Sequence, residues 1–565
     1  MPNTLFDWEK RLKFTVGLIV VMAAILGWRL FQKQILEHAI YLASAESQYI
    51  IKKELPAQRG KIYASDLFPL ATNTIYYQVL VVPKNIKNPD EVSSKLANPL
   101  GMEKVEIFEL INNSKSYIPP LKHGLTEEKA DKIAALKITG VLIMPEAKRI
   151  YPEKELASQV LGFVNNLDDG QYGIEGYFNE EMKGFGGEIL AEKDNRGRAF
   201  NIGERVDPKN GADIILTLDH NIQYQAEIVL KDAVKKYKAD SGSMVIMDPK
   251  TGAVLAMAGF PDYDPNKFNE IPKDSQDVFN MSAVSNAWEP GSVFKPLIMA
   301  AAINEGKVQP DTKGVFSNKV TVDSYEIHTS TDEAYGEETM TQVLENSDNV
   351  AMVWVSEQLG KEIEYRYLKD YGFGRKSGIE IDTEAPGDVL DGKQWSNSLR
   401  ATVAFGQGIT VTPIQLVTAM STIANGGKLM KPYIVSEINF ADGRKDTRSS
   451  KEVKRVLNTD VANKVKDMMV SVVVRGHGKK AAVSGYKVAG KTGTAQVAKP
   501  GGGYYQDRHI GSFIGFAPAD DPKFVMLVRL DQPKNVDWAE SSAAPTFGEM
   551  AKWLLDHFRI PSSER

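Results

Sequence analysis

Residues 14–28 carry no charge, and Leu30 and Phe31 continue the apolar run past Arg29. No other feature restricts the architecture as much. In lipid hydrocarbon every backbone N–H and C=O must be satisfied within the segment, so a single span has to be a helix. The run falls slightly short of the roughly 20 residues such a helix needs. Lys13 and Arg29 at its ends can make up the difference by reaching toward the interfaces. Lys10, Arg11 and Lys13 precede the run, which places residues 1–13 in the cytoplasm, the anchor at 14–31 and everything later outside. The rival is a cleaved signal peptide, since Ala43-Ser44-Ala45 has the small-residue pattern of a cleavage site. That pattern lies well beyond the apolar run, behind a charged helical stretch, where a signal peptide would already have been cut. The expectation is an uncleaved single-pass anchor, continued by a membrane-proximal helix over 32–55 that Pro56 ends.

At 565 residues the chain exceeds a typical single domain, so two or three units are expected. A net charge of −5 points away from nucleic acid. With no cysteine there are no disulfides, no thiol catalysis and no cysteine-bound metal. The seven histidines lack metal-ligand spacing, so neither metal nor cofactor is expected. Residues 56–210 mix short elements with turn signals such as Asn88-Pro89-Asp90 and Asp168-Asp169-Gly170. Within them stand Arg59-Gly60, Arg149-Ile150-Tyr151-Pro152 and Gly173-Ile174-Glu175. Arginines beside such turns can brace chain crossings through bidentate carboxylate bonds, so this region reads as structural.

From residue 211 strand and helix signals alternate. Residues 244–248 and 253–257 form a hairpin, 487–497, 511–516 and 524–530 are late strands, and 547–558 is an amphipathic helix. Early and late strands around a helical middle imply an antiparallel sheet with edges from both ends of the region. In that middle, Thr412-Pro413-Ile414-Gln415 starts a helix and reads as a capping box alone.

Chemistry enters at Trp288-Glu289-Pro290-Gly291-Ser292-Val293-Phe294-Lys295-Pro296. Three residues apart on a helix, Ser292 and Lys295 share a face, which brings the amine within reach of the hydroxyl. The apolar run 297–303 buries that helix, and a buried lysine gives up its proton more readily. Lys295 can then act as base toward a Ser292 nucleophile without histidine. The same spacing recurs at Ser484 and Lys487, where strand-like neighbours would send the two side chains to opposite faces. Downstream follow Ser347-Asp348-Asn349, the only Ser-x-Asn in the chain, and Lys491-Thr492-Gly493. A second Lys-Thr-Gly at Lys250-Thr251-Gly252 sits between two strands as turn chemistry, so order and context select Lys491.

Ser-x-x-Lys, Ser-Asp-Asn and Lys-Thr-Gly together are the signature of penicillin-binding proteins and class A β-lactamases. Over nearly its whole length the chain resembles a class B penicillin-binding protein, a membrane-anchored peptidoglycan D,D-transpeptidase. The resemblance implies an α+β multidomain fold. Behind the anchor comes a mixed α/β, dimerisation-type pedestal at 56–210, to which the arginine and glycine motifs belong. A penicillin-binding transpeptidase domain follows at 211–565, with a five-stranded antiparallel sheet between helical layers. No glycosyltransferase domain is expected ahead of the pedestal and no repeat modules behind the catalytic domain. Val160-Leu161-Gly162-Phe163-Val164 and Ser512-Phe513-Ile514-Gly515-Phe516-Ala517-Pro518 resemble the septal, cell-division branch more than the elongation branch.

The resemblance also assigns roles. Ser292 attacks the penultimate D-alanine carbonyl of a D-Ala-D-Ala stem peptide, Lys295 takes its proton, and Ser347 relays a proton to the leaving amine beside Lys491. Asn349 orients Lys295 and the substrate amide. Backbone N–H groups of Ser292 and Thr494 form the oxyanion hole, and Thr492, Gly493 and Thr494 hold the substrate, the two threonine hydroxyls on its carboxylate. Implied partners are peptidoglycan stem peptides, β-lactam antibiotics, the bacterial cytoplasmic membrane, a glycosyltransferase of the shape, elongation, division and sporulation family, and other division proteins. Rival readings are an elongation transpeptidase, a D,D-carboxypeptidase or β-lactamase, a β-lactam sensor and an inactive division scaffold. A class A β-lactamase needs a deacylating glutamate that residues 349–491 do not offer, and a sensor needs more than a short cytoplasmic tail. Intact catalytic motifs argue against pure scaffolding.

Overall fold

The apolar run lies within one unbroken helix, α1 (Leu5–Phe31), of 27 residues. At 1.5 Å per residue it is about 40 Å long, enough for a hydrocarbon core of about 30 Å. Trp8–Leu36 is long and apolar enough to cross a membrane, and none of it is buried in the protein. The computed structural model describes residues 5–39, 41, 50–113, 119–193, 199–499 and 503–562, so Ala43, Ser44 and Ala45 lie outside the described residues. The chain forms two compact units, residues 1–58 with 184–210 and residues 59–183 with 211–565.

The first unit holds α1 and a three-stranded sheet ordered Ile50–Leu55, Gly187–Lys193, Ala199–Val206. This corrects the expected helix over 32–55. Its last six residues are a strand, paired antiparallel from Ile50↔Glu192 to Leu55↔Gly187. Pairing with a segment more than 130 residues away, which no local pattern reveals, overrode the local helical preference.

In the second unit, Pro69–Val81 pairs antiparallel with Val141–Ile150 over a small core that includes Val79, Leu96, Ile107 and Ile133. The same unit holds a five-stranded sheet of β1 (Ser241–Met247), β2 (Val254–Phe260), β3 (Ala489–Ala498), β4 (Tyr504–Ala517) and β5 (Phe524–Asp531). Its order is β2-β1-β5-β4-β3, antiparallel throughout, so the edges come from the early hairpin and the late Lys-Thr-Gly strand as expected.

Side chains on a strand alternate faces, and both faces here are apolar. Met244, Ile246, Met526 and Val528 join one core with helices α2 (His220–Tyr237) and, at the C-terminal end, Ala543–His557. Val245, Met247, Val525 and Leu527 join the other, with α3 (Lys295–Asn304), α4 (Met340–Asn346), α5 (Asn349–Leu359), Pro413–Ala424 and Thr459–Val474. The sheet is therefore the middle of a three-layer sandwich. Thr412 caps Pro413–Ala424 with Gln415 reciprocating, so the capping box is present as read.

The three motifs at Arg59, Arg149 and Glu175 converge. Arg59 Nε donates to Glu175 Oε2 at 2.7 Å and Arg149 Nε to Oε1 at 2.6 Å. The bracing is not bidentate as expected: one carboxylate bridges two guanidiniums, one oxygen to each. Arg59 turns its other nitrogens to Asn179 Oδ1 and Glu175 O, and Arg149 turns one to Gly60 O. Gly60 is dictated by closeness, since a Cβ there would stand 1.8 Å from Ala212 O.

Candidate active site

Ser292 lies on a 3₁₀ turn, Gly291–Phe294, that feeds directly into α3, whose first residue is Lys295. Every residue from Lys295 to Ile303 is buried, and Lys295 is 0 % exposed, so the apolar run does bury the amine. The turn rests on β3. A Cβ on Gly493 would come within 2.9 Å of Val293 Cγ1 and 3.1 Å of Val293 N, so only glycine lets the strand pass that close to the serine turn.

The Ser-Asp-Asn triplet is the joint between α4 and α5. Ser347 ends α4 in the left-handed region (φ 55°), Asp348 caps α5 by accepting from Ala351 N at 3.1 Å, and Asn349 is its first residue. This joint turns three polar groups onto Lys295 Nζ, which donates to Ser347 O at 2.6 Å, Asn349 Oδ1 at 2.8 Å and Ser347 Oγ at 3.2 Å. Asn349 Nδ2 donates to His328 O at 3.0 Å, which fixes the amide with its oxygen toward the lysine. From β3, the fully buried Lys491 donates to Ser347 Oγ at 2.9 Å and Thr492 O at 3.1 Å. Ser347 Oγ thus bridges the two lysines. While Lys295 is protonated both lone pairs of this oxygen are taken, and its own proton is left to point elsewhere.

Burial, reinforced by the Lys491 charge, pushes Lys295 well below the usual lysine range. Burial alone brings Lys491 down to about 7. As a free amine Lys295 keeps its N–H bonds to Ser347 O and Asn349 Oδ1, acceptors that cannot donate, and gives up the one to Ser347 Oγ, which leaves its lone pair. The expected Ser292–Lys295 hydrogen bond is not formed. Ser292 Oγ has no hydrogen-bond partner among the described residues, and the lysine is held instead by the Ser-Asp-Asn joint.

Ser292, Ser347, Asn349, Thr492 and Thr494 line one open cleft of about 1570 Å³. That exceeds the roughly 300–1,000 Å³ of small-molecule pockets and suits an extended peptide. Thr494 Oγ1 accepts from Ala539 N at 3.1 Å, which leaves its own proton for a ligand. The two decoy motifs lie apart from this cluster. Lys250-Thr251-Gly252 is the turn between β1 and β2. Ser484 and Lys487 are exposed in a turn before β3, not on a strand as expected, and Lys487 pairs with Asp520 at 3.1 Å.

Three features of the site were not read from the sequence. His328, His477 and His509 reach the cleft wall through folding, each engaged elsewhere: with Asp332 at 3.0 Å, Glu540 at 3.3 Å and Val536 O at 3.1 Å. Glu289 staples the serine turn to its surroundings, accepting from Gly408 N at 3.0 Å and Tyr504 Oη at 2.9 Å. A glutamate directly before Pro290-Gly291-Ser292 was the available signal. Glu338 gave none, and it packs against Asp348 behind the lysine.

With the geometry in hand, comparison with known proteins points one way. Residues 242–552 match the penicillin binding protein transpeptidase domain, and residues 54–216 match the penicillin-binding protein dimerisation domain. Stage V sporulation protein D of Bacillus subtilis is 34 % identical over 561 residues, covering 98 % of this chain and 86 % of the relative. The peptidoglycan D,D-transpeptidase FtsI of Escherichia coli K12 is 29 % identical over 558 residues, 97 % of this chain and 92 % of the relative. Among solved structures, penicillin binding protein 3 of Mycobacterium tuberculosis in complex with aztreonam superposes with a TM-score of 0.72 at 26 % identity, covering 90 % of this chain and 98 % of that one.

Proposed function

The chain belongs to the penicillin-binding protein transpeptidase family, and from that premise we propose that it cross-links peptidoglycan stem peptides as a serine D,D-transpeptidase of class B. Ser292 Oγ bonds to the penultimate D-alanine carbonyl carbon while its proton passes to the Lys295 amine. The tetrahedral oxyanion is held by the backbone N–H groups of Ser292 and Thr494. Collapse breaks the bond to the terminal D-alanine, whose nitrogen takes a proton through Ser347, and Lys491 steadies the charge. Asn349 orients Lys295 and the substrate amide. Thr492 and Thr494 hold the terminal carboxylate beside Gly493. An amine of a second stem peptide then attacks the Ser292 ester, forms the new amide and restores the serine.

One observation carries this reading: the hydrogen-bonded chain Lys295–Ser347–Lys491, locked by Asn349, behind a serine that faces an open cleft. A single-pass anchor in the cytoplasmic membrane, N-terminus inside, is supported by α1 and by the basic residues Lys10, Arg11 and Lys13. The division into a pedestal at 56–210 and a transpeptidase domain at 211–565 is supported by the two family matches at 54–216 and 242–552. Mass spectrometry after exposure to benzylpenicillin is expected to give a stable adduct on the peptide containing Ser292. Rapid release would make the protein a β-lactamase, and no adduct would leave a scaffold.

The cellular role we assign is septal, supported by the phrases at 160–164 and 512–518, with a division-type glycosyltransferase and other division proteins as partners. The 34 % identity to a stage V sporulation protein favours a sporulation role as the second reading. Depletion is expected to give filaments with blocked septa. Normal growth that fails only in sporulation would support the second reading, and rounded dividing cells an elongation role.

A further inference from the structure

Near Lys295 two carboxyl groups are buried in the core, each with one oxygen lacking a hydrogen-bond partner among the described residues, and neither lines the cleft. Asp348 is wholly buried and spends Oδ1 on capping α5. Glu338, from the strand Gly336–Thr339, is 2 % exposed and accepts from Asn346 Nδ2 at 2.8 Å through Oε1. As carboxylates they would leave Glu338 Oε2 and Asp348 Oδ2 buried without a hydrogen-bond partner among the described residues. Two such oxygens in one dry pocket repel and cannot be solvated, whereas a single proton between them converts repulsion into a hydrogen bond.

We propose that Glu338 is a positioning residue: it keeps a proton on a hydrogen bond to Asp348, leaving one negative charge rather than two behind Lys295, so that the amine stays uncharged and able to accept a proton. This rests on Lys295 being the base. Burial, with the hydrogen bond and charge of Asp348, pushes the Glu338 carboxyl up to about 7 against the opposing pull of Asn346 and Lys295. The surrounding charges are accounted for. Lys491 stands across Ser347 Oγ, Glu337 on the same strand is paired with Lys313 at 2.9 Å, and Glu345 of α4 is paired with Arg475 at 2.9 Å.

For one proton there are two arrangements, Glu338 acid with Lys295 amine or Glu338 carboxylate with Lys295 ammonium, and the second disables the base. Glu338→Gln forbids the second. Its amide N–H can still donate to Asp348 and its carbonyl can still accept from Asn346. The Gln amide carries no charge, like the protonated acid it replaces, so the rate and the acid limb of the benzylpenicillin acylation profile should stay close to wild type. The infrared carbonyl band of a protonated carboxyl, which the wild type shows on the acid side of neutrality, should be lost. A shift of the acid limb to lower pH by about one unit, the effect of removing one nearby buried charge, would mean that wild-type Glu338 is charged and overturns the proposal. So does a wild type without that band, or a rate lowered equally at every pH, which marks a merely structural role.

Should Glu338→Gln not fold, Lys295→Met tests the pair from the other side. An uncharged amine exerts no pull on the acid, so the infrared carbonyl band of protonated Glu338 should be present and titrate as in the wild type, and its absence overturns the proposal. A band that persists to higher pH in Lys295→Met means that Lys295 is an ammonium in the wild type, which overturns the proposal through its premise that Lys295 is the base and so separates the two failures.

Discussion

Lys295→Arg is expected to cut benzylpenicillin acylation of Ser292 by about ten-thousandfold or more, close to the loss in Ser292→Ala, because the two residues act as one nucleophile–base unit. An ordinary lysine, with a pKa near 10.4, would be almost wholly protonated at neutral pH and useless as a base. Here burial and the neighbouring Lys491 both disfavour the ammonium, so the free amine is available at lower pH than in an ordinary lysine, and acylation is expected to fall on the acid side, where Lys295 takes up a proton. A guanidinium keeps the positive charge and much of the packing but stays protonated under the same conditions. The rival base is His328, which folding brings to the cleft wall and whose carbonyl holds Asn349. Its ring is already engaged by Asp332, and His328→Gln is expected to acylate within a few-fold of wild type. Ser484→Ala and Lys487→Ala, at the exposed turn, serve as controls and should leave the rate intact. If Lys295→Arg acylated at near wild-type rate and His328→Gln did not, the base would be the histidine.

How much of this site is legible in sequence depends on whether a contact is local. Ser292 and Lys295 lie on one short turn and the start of the helix it feeds, so their nearness was legible locally, but the hydrogen bond expected between them is not formed, because the distant Ser-Asp-Asn joint holds the lysine. The hairpin 241–260 read correctly because its strands are joined by a turn that carries its own chemistry, Asp248 accepting from Lys250 N at 2.8 Å and from Thr251 Oγ1 at 2.7 Å. Ile50–Leu55 failed for the opposite reason: its strand partner is a segment far along the chain. Ser484–Lys487 failed through the turn at Gly485 (φ 81°), which delays β3 until Ala489, although the conclusion that the pair does not cooperate stands. Glu338 and Asp348 are ten residues apart on a strand and a helix cap, a spacing with no periodic meaning. Their meeting follows from how α4 packs between them, a matter of tertiary structure.

Glu175→Ala should be the most damaging single change outside the cleft, lowering stability by about 3–5 kcal/mol, because it strands two buried guanidiniums without a counter-charge. The carboxylate is fully buried and is reached by Arg59, Arg149 and the Tyr151 hydroxyl at 2.7, 2.6 and 3.1 Å. Burial by itself would push Glu175 up, but the Arg149 and Arg59 charges outweigh it and hold the carboxyl below its usual value of 4.5. A depressed carboxylate stabilises the fold above its unfolded pKa, and that contribution is lost as pH falls from about 4.5 through the lower folded value. Chemical denaturation of the detergent-solubilised protein is therefore expected to show a stability deficit in Glu175→Ala at neutral pH that narrows on acidification, as the wild type loses the same interaction. Replacing Arg59, Arg149 and Glu175 together with apolar residues of similar size should recover much of the loss, since the charges then need no compensation. Acylation of the folded fraction should be unchanged throughout, because these side chains meet one another and not the cleft. A Glu175→Ala protein as stable as wild type would mean that water reaches the arginines and that the cluster is not the brace its burial implies.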